Sequence, residues 1–126
     1  APQFNSDGTR VLYLTGGGLK KKLMSVGLSG EEPREELDLK YVDAVSVSPD
    51  GQWIAFTELF NAYVAPLVAT GRTIELSKDS KAVPVTQVSR DVGSYLHWAG
   101  DSKSLHWMVG DRYFSRDLRD SFAFLP

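Results

Sequence analysis

The stretch VSPDGQWIAFTE, Val47 to Glu58, decides the fold. Pro49 pre-sets its φ, the Asp50 side chain reaches its own backbone two residues on, and Gly51 accepts the positive φ that tight turns demand. An Asp-Gly pair between apolar runs is therefore a hairpin signal. Working outward, the same pattern recurs as FNSDGTRVLYL (Phe4 to Leu14) and WAGDSKSLHWM (Trp98 to Met108). Asp7-Gly8 and Asp101-Ser102 take the places of Asp50-Gly51, with Ser102 the weaker turn former. The three aspartates recur at the spacing of one four-stranded propeller blade, roughly 40–50 residues.

Strands are predicted around these turns from β-branched and aromatic content. The first unit supplies Arg10 to Thr15, Lys22 to Gly27 and Glu35 to Leu39, with Gly16-Gly17-Gly18 as a loop. The second supplies Ala44 to Ser48, Trp53 to Glu58, Ala62 to Leu67 and Val83 to Val88, with a polar connection from Ala69 to Lys81. The third supplies Ser94 to Trp98, Ser104 to Val109 and Tyr113 to Asp117. No long amphipathic helix is expected. The fold class is all-β: one partial β-propeller of about three four-stranded antiparallel blades, the last incomplete, with blades approximately 1–41, 42–91 and 92–126. A two-sheet sandwich is the competing architecture. An open arc leaves the end blades bare, so the chain is expected either to be a piece of a longer polypeptide or to self-associate through its end blades as a homo-oligomer.

Composition narrows the functional classes. The 126 residues carry 14 basic and 16 acidic side chains, a formal net charge of −2, which gives no electrostatic footprint for nucleic acid. No apolar run approaches the roughly 20 residues that cross a bilayer, and no signal peptide or membrane insertion is expected. With no cysteine, thiol catalysis, disulfides and thiolate metal sites are excluded.

VSPDGQWIAFTE resembles the Asp-Gly repeat of TolB-like, WD40-like propellers. The segments FTELFNAYVAPL, VGSYLHWAGDSKSLHWMVG and YFSRDLRDSFAFLP further resemble the propeller region that precedes the catalytic domain of bacterial amidohydrolase-like proteins. The first copy lacks the proline and the third has Ala99-Gly100 before its aspartate. The resemblance implies a non-catalytic, protein-binding scaffold segment, exported to the periplasm or secreted, packed against an enzyme domain of the same polypeptide. A propeller gating a prolyl-oligopeptidase-type serine peptidase and a stand-alone protein-binding module are the alternatives.

No residue of this chain is expected to be catalytic, to ligate a metal or to bind a cofactor. Amidohydrolase chemistry needs a His-x-His pair, and none occurs; no Gly-x-Ser-x-Gly elbow occurs either. His97 and His106 flank the third turn and are placed to face each other across a hairpin, too few to complete a zinc site. Gly16-Gly17-Gly18 with Lys20-Lys21-Lys22 lacks P-loop spacing. Glu31, Glu32, Glu35, Glu36 and Asp38 read as a solvated acidic connection without EF-hand spacing. Trp53, Phe56, Tyr63, Tyr95, Trp98 and Trp107 read as packing between sheets. In a propeller the Asp-Gly turns share one face, and the loops at the other, around 58–61 and 91–94, are the usual binding face. Asp43, Glu58, Asp91, Tyr95 and His97 are the candidates there, while Asp7, Gly8, Pro49, Asp50, Gly51 and Asp101 are structural turn residues.

Overall fold

A computed structural model describes residues 2–67, 72–80, 83–89, 94–109 and 112–117. Twelve strands run in chain order: β1 (Gln3–Phe4), β2 (Arg10–Thr15), β3 (Lys22–Gly27), β4 (Arg34–Asp38), β5 (Ala44–Val47), β6 (Trp53–Glu58), β7 (Asn61–Pro66), β8 (Ile74–Glu75), β9 (Thr86–Ser89), β10 (Ser94–Trp98), β11 (Ser104–Val109) and β12 (Arg112–Asp117). They form three sheets, ordered β1-β2-β3-β4-β8, β5-β6-β7-β9 and β10-β11-β12. Among the described residues every pairing is antiparallel apart from the parallel β4–β8 pair. The all-β, partial-propeller expectation holds.

The sandwich alternative does not. Alternation along β6 sends Ile54 and Phe56 to one face of the second sheet and Ala55 to the other, and all three are buried. Ile54, Phe56, Tyr63 and Ala65 form one core with Leu12, Leu23 and Leu37 of the first sheet. Ala55, Ala62 and Val64 form a second core with Trp98, Leu105 and Trp107 of the third. A middle sheet covered on both faces makes three layers. Small alanines opposite two tryptophans let the second and third sheets interdigitate.

Three repeated turns hold the layers in step. In each, a backbone N–H donates three residues back: Gly8 to Asn5 O, Gly51 to Ser48 O and Ser102 to Ala99 O, at 3.2, 2.9 and 3.0 Å. Each aspartate Oδ1 accepts the N–H two residues on, Thr9 to Asp7 at 3.1 Å, Gln52 to Asp50 at 3.0 Å and Lys103 to Asp101 at 2.9 Å. Gly8, Gly51 and Ser102 have φ of 74°, 74° and 61°, so the serine takes the left-handed conformation that glycine takes in the other two.

The turns also touch one another. A Cβ on Gly51 would lie 2.8 Å from Ser6 N and 2.9 Å from Asn5 C, so the second turn abuts the first through backbone. The Asp50 N–H donates to Ser102 Oγ at 3.0 Å, joining the second turn to the third. Gln3 Nε2 donates to Ser48 O at 2.7 Å, and Trp98 Nε1 donates to Ser46 O at 2.9 Å. The three turns thus share one end of the molecule, as the sequence pattern anticipates.

Two short strands depart from expectation. β1 precedes the first turn, and β8 lies inside the segment read as a polar connection. β8 pairs in parallel with β4 of the first sheet, Leu37 opposite Ile74, and buries Ile74, with Leu76 buried just beyond it. β9 begins at Thr86 rather than Val83, because Pro84 has no N–H to give a ladder.

Candidate functional site

Opposite the three turns, four connections meet at the other end of the strands. β2 runs away from the first turn, so residues 16–21 lie at this end of the first sheet. Residues 39–43 lead from β4 into β5 here, and Leu59-Phe60 joins β6 to β7. Lys21 knits the first two together: its Nζ donates to Val42 O at 2.6 Å and Asp43 O at 2.8 Å. Glu58 Oε1 accepts the Lys78 N–H at 3.1 Å, bringing residues 77–80 to the same rim.

The rim exposes large apolar side chains. Leu19 is 78% exposed, Tyr41 51%, Leu59 66% and Phe60 80%. The last two are the more informative. Glu58 pairs with Asn61, so Leu59 and Phe60 are a two-residue hairpin loop, with φ of 51° and 66°. Two positive φ values define the turn that normally takes Asn-Gly. A β-carbon in the left-handed region costs roughly 1–2 kcal/mol per residue. The tip therefore holds two bulky residues in solvent at a conformational cost that a polar Asn-Gly pair avoids.

Lys40 and Lys78 of the rim have local partners. Lys40 sits 3.5 Å from Glu75 Oε2, whose charge raises the ammonium's affinity for its proton; its Nζ also lies 5.0 Å from the Tyr41 ring centroid. Lys78 is raised by its hydrogen bond and charge interaction with Asp79. Both stay charged across the physiological range, each beside a carboxylate.

Of the sequence candidates, Asp43 and Glu58 lie at this end. Asp43 is exposed, with its N–H donating to Thr57 O at 2.8 Å. Glu58 is buried and bonded to the Lys78 backbone, so its carboxylate supports the rim from beneath. Asp91 lies outside the described residues, and Tyr95 belongs to β10 with its side chain outside them. His97 is not brought to this end: β10 runs toward the third turn, where His97 pairs with His106. The two imidazoles stack with centroids 5.5 Å apart on the exposed face of the third sheet. His106 Nδ1 lies 2.8 Å from Tyr113 Oη and its Nε2 lies 3.1 Å from Ser104 Oγ. Among the described residues no three His, Cys, Asp or Glu side chains group as a metal site requires. Sequence reasoning named the 58–61 loop but not Leu59, Phe60, Leu19 or Tyr41; the missing glycine in a two-residue hairpin was the available signal.

A cleft of about 220 Å³ opens between the first and second sheets, lined by Gln3, Leu12, Leu14, Leu23 and residues 45–47. It falls short of the roughly 300–1,000 Å³ usual for small-molecule pockets. Nor is any described helix long and apolar enough to cross a membrane. The class that fold and surface define is a partial β-propeller whose loop rim exposes Leu19, Tyr41, Leu59 and Phe60.

No protein-family model matches the chain, and no curated protein matches it. Among solved structures the chain is similar to TolB from Acinetobacter baumannii, with 14% identity and a TM-score of 0.42. The match covers 97% of this chain and 41% of that one, so the chain spans less than half of that protein's length.

Proposed function

We propose that this chain is a non-catalytic scaffold and interaction module, the accessory propeller region of a larger amidohydrolase-like hydrolase, and that it docks on its partner domain through the loop rim carrying Leu59 and Phe60. The observation that carries the reading is the hairpin tip. Two large apolar residues kept exposed in left-handed conformations weaken the fold, and such local strain concentrates where a surface has work to do. The resemblance of FTELFNAYVAPL, VGSYLHWAGDSKSLHWMVG and YFSRDLRDSFAFLP to amidohydrolase-associated propellers supports the parent class, and the same resemblance an exported location.

Reading the gene beyond the codons for Ala1 and Pro126 tests the parent: a downstream His-x-His with later His and Asp ligands is the expected result, and a Gly-x-Ser-x-Gly elbow or an immediate stop codon overturns it. Docking is tested by Leu59→Asn with Phe60→Gly, which installs the turn's preferred residues. The variant is expected to gain about 1–3 kcal/mol of stability. Its affinity for the adjoining domain is expected to fall at least tenfold, by about 1.4 kcal/mol. Unchanged affinity refutes the rim as docking surface, and hydrolysis by the isolated chain refutes its non-catalytic role.

A further inference from the structure

Residues 73–80, between β7 and β9 of the second sheet in chain order, lie instead along the edge of the first sheet as a strap. Thr73 Oγ1 donates to Glu35 O at 2.9 Å, β8 pairs with β4, and the Leu76 N–H donates to Asp38 O at 2.9 Å. Ile74 and Leu76 enter the core that Leu37 and Leu39 share with Phe56 and Tyr63 of the second sheet. Beyond β8 the strap ends in a turn closed on itself. The Ser80 N–H donates to Ser77 O at 3.1 Å, the Ser77 N–H to Ser80 Oγ at 2.8 Å and the Asp79 N–H to Ser77 Oγ at 3.2 Å. The Lys78 N–H is left for an outside acceptor, and Glu58 Oε1 takes it at 3.1 Å.

Glu58 holds two parts of the molecule at once. It is the last residue of β6, and its pairing with Asn61 closes the loop that keeps Leu59 and Phe60 at φ 51° and 66°. Backbone in so sparsely populated a region persists only where the surroundings fix it. Glu58 is also 7% exposed, and among the described residues the Lys78 N–H is the hydrogen-bond partner of its carboxylate. A buried carboxylate without a partner is costly, so when the strap lifts Glu58 must turn to water, and the pair that closes the tip loses its anchor. The strap is the element that lifts most readily, because a two-residue strand on a sheet edge has few ladder bonds to break. We infer that Glu58 is the positioning residue of the tip and that the strap governs it: closure at Lys78 fixes the strained Leu59-Phe60 loop, and opening releases it. A partner held at the tip and a closed strap then favour each other. The part about a partner rests on the docking role proposed above, whereas the coupling of strap to tip belongs to the chain alone.

Native-state hydrogen exchange on the 126-residue chain reads strap opening at the Leu76 amide. Glu58→Ala removes the acceptor, and Lys78→Pro removes the donor at the second position of the 77–80 turn, where proline fits. Each should speed Leu76 exchange about tenfold or more and leave the amides of β6 and β7 unchanged, because a hydrogen bond to a charged group is lost from the strap alone. The double variant should lie within about threefold of the faster single one, since both substitutions remove the same bond. Glu58→Gln, whose amide oxygen still accepts, should return exchange to within about threefold of wild type. The reverse coupling is read with Leu59→Asn and Phe60→Gly: a tip with no strain to release opens the strap less often, and Leu76 exchange should slow about threefold or more. Circular dichroism checks each fold, and Lys78→Pro, outside both cores, carries the test where Glu58→Ala does not fold. Additive effects in the double variant, changes shared equally by β6 and β7, no rescue by glutamine, or Leu76 exchange unmoved by the tip substitutions each overturn the inference. No partner domain is present in these measurements, so they succeed or fail separately from the docking affinity of the tip variant.

Discussion

Gly51 and Gly8 have the same φ, and only Gly51 has a neighbour, so alanine at the two positions separates backbone strain from contact between turns. Gly8→Ala puts a β-carbon at φ 74° with open space around it. The left-handed penalty of roughly 1–2 kcal/mol is partly offset by the 0.4–1 kcal/mol that losing glycine's freedom takes from the unfolded state. A net loss near 1 kcal/mol is expected. Gly51→Ala carries the same terms and adds a carbon 2.8 Å from Ser6 N, 2.9 Å from Asn5 C and 3.1 Å from Phe4 O. All three are backbone atoms, well inside the roughly 3.5–4.0 Å of an ordinary contact. Relief requires the first turn to swing off the second, which strains the Gln3 to Ser48 hydrogen bond as well. Overpacking of this kind costs about 1–3 kcal/mol, bringing the total to about 2–4 kcal/mol. Urea unfolding of both variants, compared at equal m-value, reads the difference directly. Equal losses within about 0.5 kcal/mol refute the abutting turns, since such a gap is smaller than the least overpacking cost.

Three further outcomes follow from the same contacts. Ser102→Ala keeps the left-handed strain and strips the Asp50 N–H of its acceptor, so it should cost about 1–3 kcal/mol in urea unfolding, whereas Ser102→Gly relieves the strain and should lie within about 1 kcal/mol of wild type; the reverse order counts against the bond between turns. The Thr9 hydroxyl and N–H hold the Asp7 carboxyl below the ordinary aspartate value of 3.8, so its stabilising share is present above that value and lost as pH falls through the lowered one; a carbon-detected NMR titration with a midpoint at or above 3.8 contradicts this. Trp98→Phe removes the indole bond to Ser46 and leaves space in the second core, with an expected loss of about 1–3 kcal/mol by thermal or urea unfolding, and no loss speaks against that bond between the second and third sheets.

What was legible in the sequence was what local chemistry determines alone. Asp7, Asp50 and Asp101 cap the same backbone position in three hairpins, and a pattern of side chain followed by left-handed residue is readable wherever it recurs. β2, β3, β6, β10 and β11 occupy the ranges that the sequence pattern predicts. β1 and β8 were not readable, because two residues carry no period; each exists because a neighbouring edge, of β2 and of β4, offers it hydrogen bonds. The turn at 58–61 is legible, but not that Leu59 and Phe60 sit exposed at its tip with positive φ, because bulky apolar residues are not those such a turn normally takes. His97 was assigned to the wrong end of its sheet by its distance from the 91–94 loop, whereas strand direction carries it to the third turn. Glu58 was legible as a rim residue but not as a buried one, since its burial depends on Lys78 arriving from 20 positions further along the chain.

Three hairpin turns lie side by side and step the three sheets in register. Through-space proton NMR at the turns tests it most directly. Cross-peaks are expected from the Gly51 α-protons to the Ser6 amide and from the Asp50 amide to the Ser102 β-protons, both within one folded chain. Intact hairpins at all three turns with neither cross-peak would refute that packing, because the sheets would then be stacked by some other operation.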